Sequence, residues 1–565
     1  MRQKWRSITE ESNSMGNGLL RSGATALATA AALLFALSFA SLASGAPQGR
    51  WLLPASDLSN PLNLATDLYI TTFPDGTVAA SWTDAVDGAM LATRPPRGSF
   101  GVPMVIAAEA ASNQAIVTAP DGTVTALWIY SPPNVDNPPS IVRAASRPPG
   151  GSFGAPMDLS EPQGAAFDLQ VVTAPDGTAT AIWAQNNGGY VAAATRPPGG
   201  VFGAPVEVAP PTGVGRGLVA GVSPDGTVTV VYLADAGAEK LLMVVTRPPG
   251  GDFGVPVELC CSDRFSDVNS PQIAVAADGT VTIVWRRLVG ENFGQIIESV
   301  TRTPDGDFED LEPLSIPTTS FLSPPRLAVS PDGTVTVVWS RRNNRDFGGA
   351  QSATRPPGGY FESPVDIAFG FYASPELTVS PDGTVTVVIE GRTDGDSNST
   401  VSAVTRPPGG FFGAAVGLSS VLQNAGNPSI TASSDGTVTA IWSRFKGGEE
   451  FVNDVVQTAS TAQPGPMISN VEVSGPSKVE KGRTASYTVA ITNAGDSKVT
   501  GVSVIARGTG ITSSRATLNR INAGATRTVN LQIQPSRTGR IDTTFRVVST
   551  NGGSRTVSKT ITVRE

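Results

Sequence analysis

Pro325-Arg326-Leu327-Ala328-Val329-Ser330-Pro331-Asp332-Gly333-Thr334-Val335-Thr336-Val337-Val338-Trp339 reads as one β-hairpin, and its turn decides the architecture. Pro pre-sets φ for the first central position of a type I turn, Asp suits the second, and Gly takes the left-handed position that follows. Such a turn joins two strands through a bulge. On the second strand Val335, Val337 and Trp339 share one face, while Thr334, Thr336 and Val338 share the other. Neither face is strongly polar, so both are expected to be covered. The Asp-Gly-Thr turn recurs behind a proline at Asp75, Asp121, Asp176, Asp225 and Asp382, and without one at Asp278 and Asp435. Counting Asp332, eight copies stand 46 to 55 residues apart, the mark of a repeat architecture.

Each copy continues in the same way. Gln351–Arg355 reads as a third strand, and Pro356-Pro357-Gly358-Gly359 as a turn that stops pairing. Tyr360–Ile367 reads as a fourth strand. Four strands in one such period make a β-propeller blade. The two ends of the array fit together. Trp51-Leu52-Leu53-Pro54-Ala55-Ser56-Asp57-Leu58-Ser59 aligns with the fourth strand Phe153–Ser160, whereas the last unit has three strands and stops near Thr458. The N-terminal strand is therefore expected to complete the last blade and leave no open edge. The expected fold is all-β, with an eight-bladed propeller of four-stranded blades over residues 47–460. Tandem sandwiches are the alternative, and they give no reason for that offset.

The first residues read differently. Arg2, Lys4, Arg6 and Arg21 precede an apolar run from Ala24 to Ala43, then Ser44-Gly45-Ala46. This is the pattern of a signal peptide over residues 1–46, and Met15 would give it a shorter basic region. The run is nearly long enough to span a bilayer, so an uncleaved anchor is the other reading. Cleavage implies a secreted or cell-surface protein with no membrane segment. The two cysteines, Cys260 and Cys261, are adjacent and leave a vicinal disulfide or two thiols open. The absence of histidine excludes His-based acid–base chemistry, Ser-His-Asp triads and His metal sites.

The period ends at Thr461-Ala462-Gln463-Pro464-Gly465-Pro466, within a linker over 461–467. Residues 468–565 carry shorter alternating runs, such as Ala485–Ile491 and Thr528–Ile533, which suit an immunoglobulin-like sandwich. Charge changes at the same place. Residues 51–464 hold 21 basic and 41 acidic side chains, a net of −20, whereas residues 465–565 hold 14 and 5, a net of +9.

With these motifs in hand, residues 51–460 resemble bacterial β-propellers with "SPDG" turns of the TolB and WD40-like kind. They are loosely similar to sialidase propellers. The Asp-box of sialidases has a residue between Asp and Gly that is missing here, and their arginine-containing N-terminal motif is not found. Ile491-Thr492-Asn493-Ala494-Gly495-Asp496 and Ala523-Gly524 resemble CARDB-type modules of bacterial surface proteins.

Residues repeated in every blade are best explained by what every blade needs. The Asp-Gly turn and the turn after Arg94, Arg147, Arg196, Arg247, Arg302, Arg355 and Arg406 are expected on one face of the ring, with a repeated Asp–Arg contact there. Function is then expected on the other face, where the loops vary. After the second strand, blades five to eight carry Arg286, Arg287, Arg341, Arg342, Arg345, Arg392, Arg444 and Lys446. Blades one to four carry only Lys240, beside Asp84, Asp87, Asp136, Gln185, Asn186, Asn187 and Asp235. Converging arginines would grip carboxylate, sulfate or phosphate groups. A solvated loop surface is the plainer reading. Asp394-Gly395-Asp396-Ser397-Asn398 has the alternate oxygen spacing of a Ca²⁺ loop, without the downstream glutamate of an EF-hand. Otherwise no cofactor is implied.

For catalysis, Tyr130, Tyr190, Glu291, Glu449 and Glu450 fall in varied loops, and nothing singles out a pair. The expected function is extracellular binding or scaffolding, with a glycan or protein partner at the varied face. A sialidase-like hydrolase using the same face is the alternative. The basic C-terminal domain would suit an anionic cell-wall polymer, or serve only as a spacer. No basic–aromatic pattern argues for nucleic acid.

Overall fold

The computed structural model describes residues 51–565 apart from short stretches: 62, 97, 110, 133–137, 162–163, 186–188, 210–213, 237–238, 261–266, 291–293, 305, 343–347, 373–374, 393–397, 446–453, 462–465, 467, 494–497 and 551–553. The signal peptide expected over 1–46 lies outside the described residues. All regular structure among the described residues is β.

Eight antiparallel sheets follow one another along the chain, each ordered inner, second, third and outer strand. Blade three is typical, with Ala166–Thr173, Ala179–Gln185, Tyr190–Arg196 and Val206–Ala209. The inner strands touch their neighbours all the way round, including Asn424–Ala432 of blade eight against Ala65–Thr72 of blade one. The ring is closed. Ser56–Asp57 forms the outer strand of blade eight, with Ser56 opposite Thr458 and Asp57 opposite Gln457. The Asp57 carboxylate accepts hydrogen bonds from Arg444 (3.0 Å) and Gln457 (2.8 Å), which fastens the seam. The protein is thus an eight-bladed β-propeller followed by an immunoglobulin-like sandwich.

Why these residues make blades is visible at the turn. The Phe73 carbonyl accepts from the Gly76 N–H at 2.8 Å, and the Phe73 N–H reaches the Thr77 carbonyl at 2.8 Å. Gly76 has φ +81°, a conformation that costs a side-chain-bearing residue energy, and the other seven turn glycines fall between +81° and +93°. Seven residues after each turn aspartate comes the residue that fills the space between blades. It is Trp82, Trp128, Trp183, Tyr232, Trp285, Trp339, Ile389 or Trp442, each 0 or 1% exposed. Each packs on the preceding blade: Trp339 meets Val284 and Ile297 of blade five, and Trp82 meets Ile441 and Val456 of blade eight. Both faces of the second strand are therefore covered, as expected, and a fully buried aromatic of this kind contributes about 3–5 kcal/mol against truncation to alanine.

Two expectations need correction. The fourth strand of blade six is Val365–Phe369, not Tyr360–Ile367. Pro364 has no N–H to offer, so ladder pairing begins only after it. Short outer strands that start at a proline also blunt the ring's exposed edges.

The second correction concerns the repeated arginine. In blades one and four to seven its guanidinium donates not to a turn aspartate but to threonine hydroxyls of the preceding blade, and Arg147 donates to the Met104 sulfur. Arg247 reaches Thr195 and Thr180 (2.7 Å each), and Arg406 reaches Thr354 (2.5 Å) and Thr336 (2.6 Å). Arg355 reaches Thr301 and, at 2.7 Å, Thr282. In seven blades the same guanidinium lies over the ring of the phenylalanine six residues on, at 5.1–6.0 Å. The aspartate is occupied locally: Asp332 Oδ1 accepts from the Thr334 N–H at 2.9 Å, and every other copy repeats that bond. Its carboxylate acts on the next blade's arginine only through space, Asp435 on Arg94 and Asp278 on Arg355. Burial pushes Arg94 down to about 10, against the pull of Asp435, which still leaves it charged at neutral pH. The two turns do share a face, since Gly333 lies against Pro357 and Gly383 against Pro408.

The sandwich pairs Ile468–Ser474, Ala485–Asn493 and Thr526–Ile533 in one sheet. The other holds Lys478–Glu480, Ser554–Arg564, Gly539–Val548, Val499–Gly508 and Ser514–Ile521. Tyr487 and Phe545 meet between them at 5.8 Å. Buried Asn493 donates to the Ile521 and Asn522 carbonyls at 3.1 Å, which explains a polar residue in the core.

Candidate functional site

Opposite the Asp-Gly turns lie the ends of the second strands and the connections between blades. One feature there escaped the sequence reading. In blades one, two, three, five and eight the inner strand carries one residue more than its partner, eight positions before the turn aspartate, and in blade four it carries two more around the same position. Asp67, Asn113, Asp168, Ser270 and Asn427 occupy it with φ of 50–55°, and Gly217 with φ +120°. Asp, Asn, Ser and Gly are turn-type residues, and that was the available signal. The bulges carry hydrogen bonds from blade to blade. Asp168 accepts from the Gly217 N–H at 2.5 Å, and Glu390 from the Asn427 N–H at 3.1 Å. Burial raises the Glu390 pKa, and the bonds from Asn427 and Ser399 oppose it.

The basic residues after the second strands divide by what they touch. Arg286 donates to the Asn269 side chain (2.7 Å) and to the Leu322 carbonyl of the next blade, so it belongs to the bulge network. Arg287, Arg341 and Arg444 occupy one slot, two residues beyond the tryptophan, in blades five, six and eight. Arg287 is held by Glu298 through two 2.7 Å bonds, and Arg444 by Asp57. Blade six has Gln351 where blade five has Glu298, and Gln351 turns instead to Asp366 at 2.9 Å. Arg341 is exposed and belongs to no ion pair among the described residues. Arg342 and Arg392 are also exposed at their strand ends. Arg345 and Lys446 lie outside the described residues.

Around Arg341 the register builds a small platform. Leu322, Arg341, Gly349 and Phe369 stand opposite one another across the four strands of blade six. Gly349 offers no side chain between Arg341 and Phe369, leaving a gap of about 10 Å, twice the strand spacing. Phe369 is 77% exposed. On the innermost strand, in the next row with Arg342, Phe321, 46% exposed, lies between Arg286 (5.3 Å) and Arg342 (5.8 Å). Blade six thus carries two separate Arg–Phe rows, Arg341 with Phe369 and Arg342 with Phe321. They make a surface patch rather than a pocket. A groove of about 430 Å³ opens elsewhere, between blades four and five, lined by Val255, Val257, Arg302 and Phe308 near the Arg-Pro turn.

The remaining candidates fall apart. Asp394 and Asp396 of the calcium proposal lie outside the described residues, and the Asn398 amide donates to the Val421 carbonyl at 3.3 Å. Among the described residues no group of three His, Cys, Asp or Glu side chains is placed to hold a metal. Tyr130 lies under Arg143 at 3.8 Å, and Arg143 is itself paired with Glu109 and Asp158 at 2.6 Å each. Tyr190 packs into the core between blades two and three. Glu291, Glu449 and Glu450 are outside the described residues. Cys260 is disulfide-bonded, and the chain's one other cysteine is Cys261.

Fold and patch together define a propeller with an exposed Arg–Phe surface, joined to an immunoglobulin-like module. Residues 467–552 match the family model of CARDB domains. No curated protein matches the chain at a significant level. Among solved structures, the chain is similar to an ulvan lyase of polysaccharide lyase family PL25, with 9% identity, 72% of this chain and 94% of that one covered, and a TM-score of 0.43. It is also similar to a Hadza microbial sialidase, with 13% identity, coverage of 72% and 95%, and a TM-score of 0.35. The C-terminal part is similar to the CARDB domain of a Pyrococcus furiosus protein in complex with di-metal ions, with 21% identity, coverage of 18% and 97%, and a TM-score of 0.16.

Proposed function

We propose that this is a secreted or cell-surface binding protein whose propeller engages an acidic glycan on the varied face of blade six. The observation that carries the reading is Arg341, exposed and unpaired in a slot where Arg287 and Arg444 are each neutralised by a carboxylate. A guanidinium in one row with the exposed Phe369 ring matches a ligand with a carboxylate or sulfate on a sugar ring. The charge pairs with arginine, and the apolar sugar face lies on phenylalanine. No helix among the described residues is long and apolar enough to cross a membrane. A hydrolase at the same face would need a tyrosine or a carboxylate pair beside these arginines. The acids beside the equivalent arginines of blades five and eight, Glu298 and Asp57, are already engaged with Arg287 and Arg444.

An array of neutral, uronate-bearing and sulfated oligosaccharides, probed with the chain lacking its leader, tests the reading. Retention of acidic members and loss of that signal on Arg341→Ala with Phe369→Ala are expected. Equal capture of neutral and acidic sugars, or capture unchanged by the two substitutions, would contradict it.

A further inference from the structure

The +9 charge of the C-terminal domain is not spread evenly over the sandwich. On the outer face of the three-stranded sheet the register places Ser474, Thr488 and Asn530 in one row, and Glu472, Ala490 and Thr528 in the next. That face carries no arginine. On the outer face of the five-stranded sheet Arg515, Ile505, Arg546 and Thr556 stand in one row, and Arg507, Thr544 and Ser558 in the next. Arg507, Arg515 and Arg546 are exposed, and none of them is in an ion pair. Of the acids of this face, Asp542 stands one row beyond Thr544, diagonal to Arg507, and Glu480 sits on the far edge strand. Asp542 accepts from the Thr560 hydroxyl at 2.7 Å, and Glu480 pairs with Arg483.

Strand spacing puts Arg515 and Arg546 about 10 Å apart across Ile505, and Arg507 about 7 Å along from it. Those separations are comparable to the screening length of about 8 Å at physiological salt, so the three charges act as one field. Threonine and serine hydroxyls fill the positions between them. We propose that this half-face is a second binding surface, for an extended anionic polysaccharide. The arginines pair with its repeated carboxylates or sulfates, and the hydroxyl rows hydrogen-bond its sugar hydroxyls. A flat face without an exposed aromatic offers no platform for stacked bases, which argues against single-stranded nucleic acid. The surface is independent of the propeller patch.

The test uses the whole chain without its leader. Polygalacturonate and dextran sulfate are the probes, neutral dextran and duplex DNA the comparisons. One variant carries Arg507→Gln, Arg515→Gln and Arg546→Gln. A charge-matched control carries Arg483→Gln, Arg527→Gln and Arg537→Gln. All six side chains are exposed, and unchanged thermal unfolding checks that both variants fold. At least a tenfold loss of polymer affinity is expected in the first variant, and less than threefold in the control. Arg341→Ala with Phe369→Ala should leave polymer binding in place, which separates this surface from the propeller patch. Equal losses in the two triple variants would mean that only net charge matters, and would overturn the proposal. So would duplex DNA bound as tightly as either polymer, or no binding by the parent chain, as when the face is already covered by the acidic propeller.

Discussion

Arginine and aspartate recur with nearly the same period, and opposite charges invite pairing. The structure pairs neither with the other, because each already has a better-placed partner. The aspartate oxygen lies next to its own turn's Thr N–H, and in blades one, four, six and seven the guanidinium spans two hydroxyls of the blade behind. Arg355→Met should therefore cost about 1–3 kcal/mol in denaturant unfolding, since Thr282 and Thr301 lose a charged donor. Asp278→Asn keeps the acceptor for Thr280 and should leave the unfolding midpoint unchanged, although Asp278 is the carboxylate that acts on Arg355. Equal losses in the two variants would restore the ion-pair picture. The turn itself was legible down to its left-handed glycine, because φ preference is local. The arginine's partner was not, because it depends on which blade stands behind which. The same limit applied to the basic loops. Arg287 and Arg341 look alike in sequence, and what separates them is Glu298 against Gln351 on the neighbouring strand.

Strand count and strand order could be read from the alternation of β-branched residues between turn signals. That Trp339 sits on a covered face was legible, but not that it and its counterparts fill the space between blades. What could not be read was the bulge in six of the inner strands, since a bulge leaves alternation intact on either side of it. Its consequence is a set of inter-blade bonds, among them those accepted by the Asp168 and Glu390 carboxylates. Burial raises the Glu390 pKa above its unfolded value. A group shifted in that direction contributes stability that is present below the unfolded pKa and lost as pH rises through the folded one. Glu390→Gln should accordingly raise the melting temperature more at about pH 8 than at about pH 4, while keeping an acceptor for the Asn427 N–H. A scanning calorimetry series that shows the same change at both pH values would mean that the Glu390 charge carries no penalty in the fold.

Ring closure follows from the offset between the two ends of the array, because a missing outer strand in blade eight and a spare one before blade one have a single joint solution. That much of the molecule is written in its repeats. Its function is written where the repeats disagree, and disagreement in one sequence marks a place without naming a ligand. Eight basic residues suggested half of a ring. Among the six the structure describes, bulge bonds and ion pairs occupy three, Arg392 also has a partner, and the exposed charge without an ion pair narrows to Arg341 in the row of Phe369 and Arg342 in the row of Phe321. The most direct test is calorimetric titration of the best acidic oligosaccharide from the array into three proteins: the parent, Arg341→Ala, and Arg287→Met with Glu298→Gln. Loss of at least tenfold in affinity for Arg341→Ala, with parental affinity in the Arg287–Glu298 double variant, is the predicted result. Parental affinity in Arg341→Ala, or an equal loss in both, would contradict a binding site on blade six.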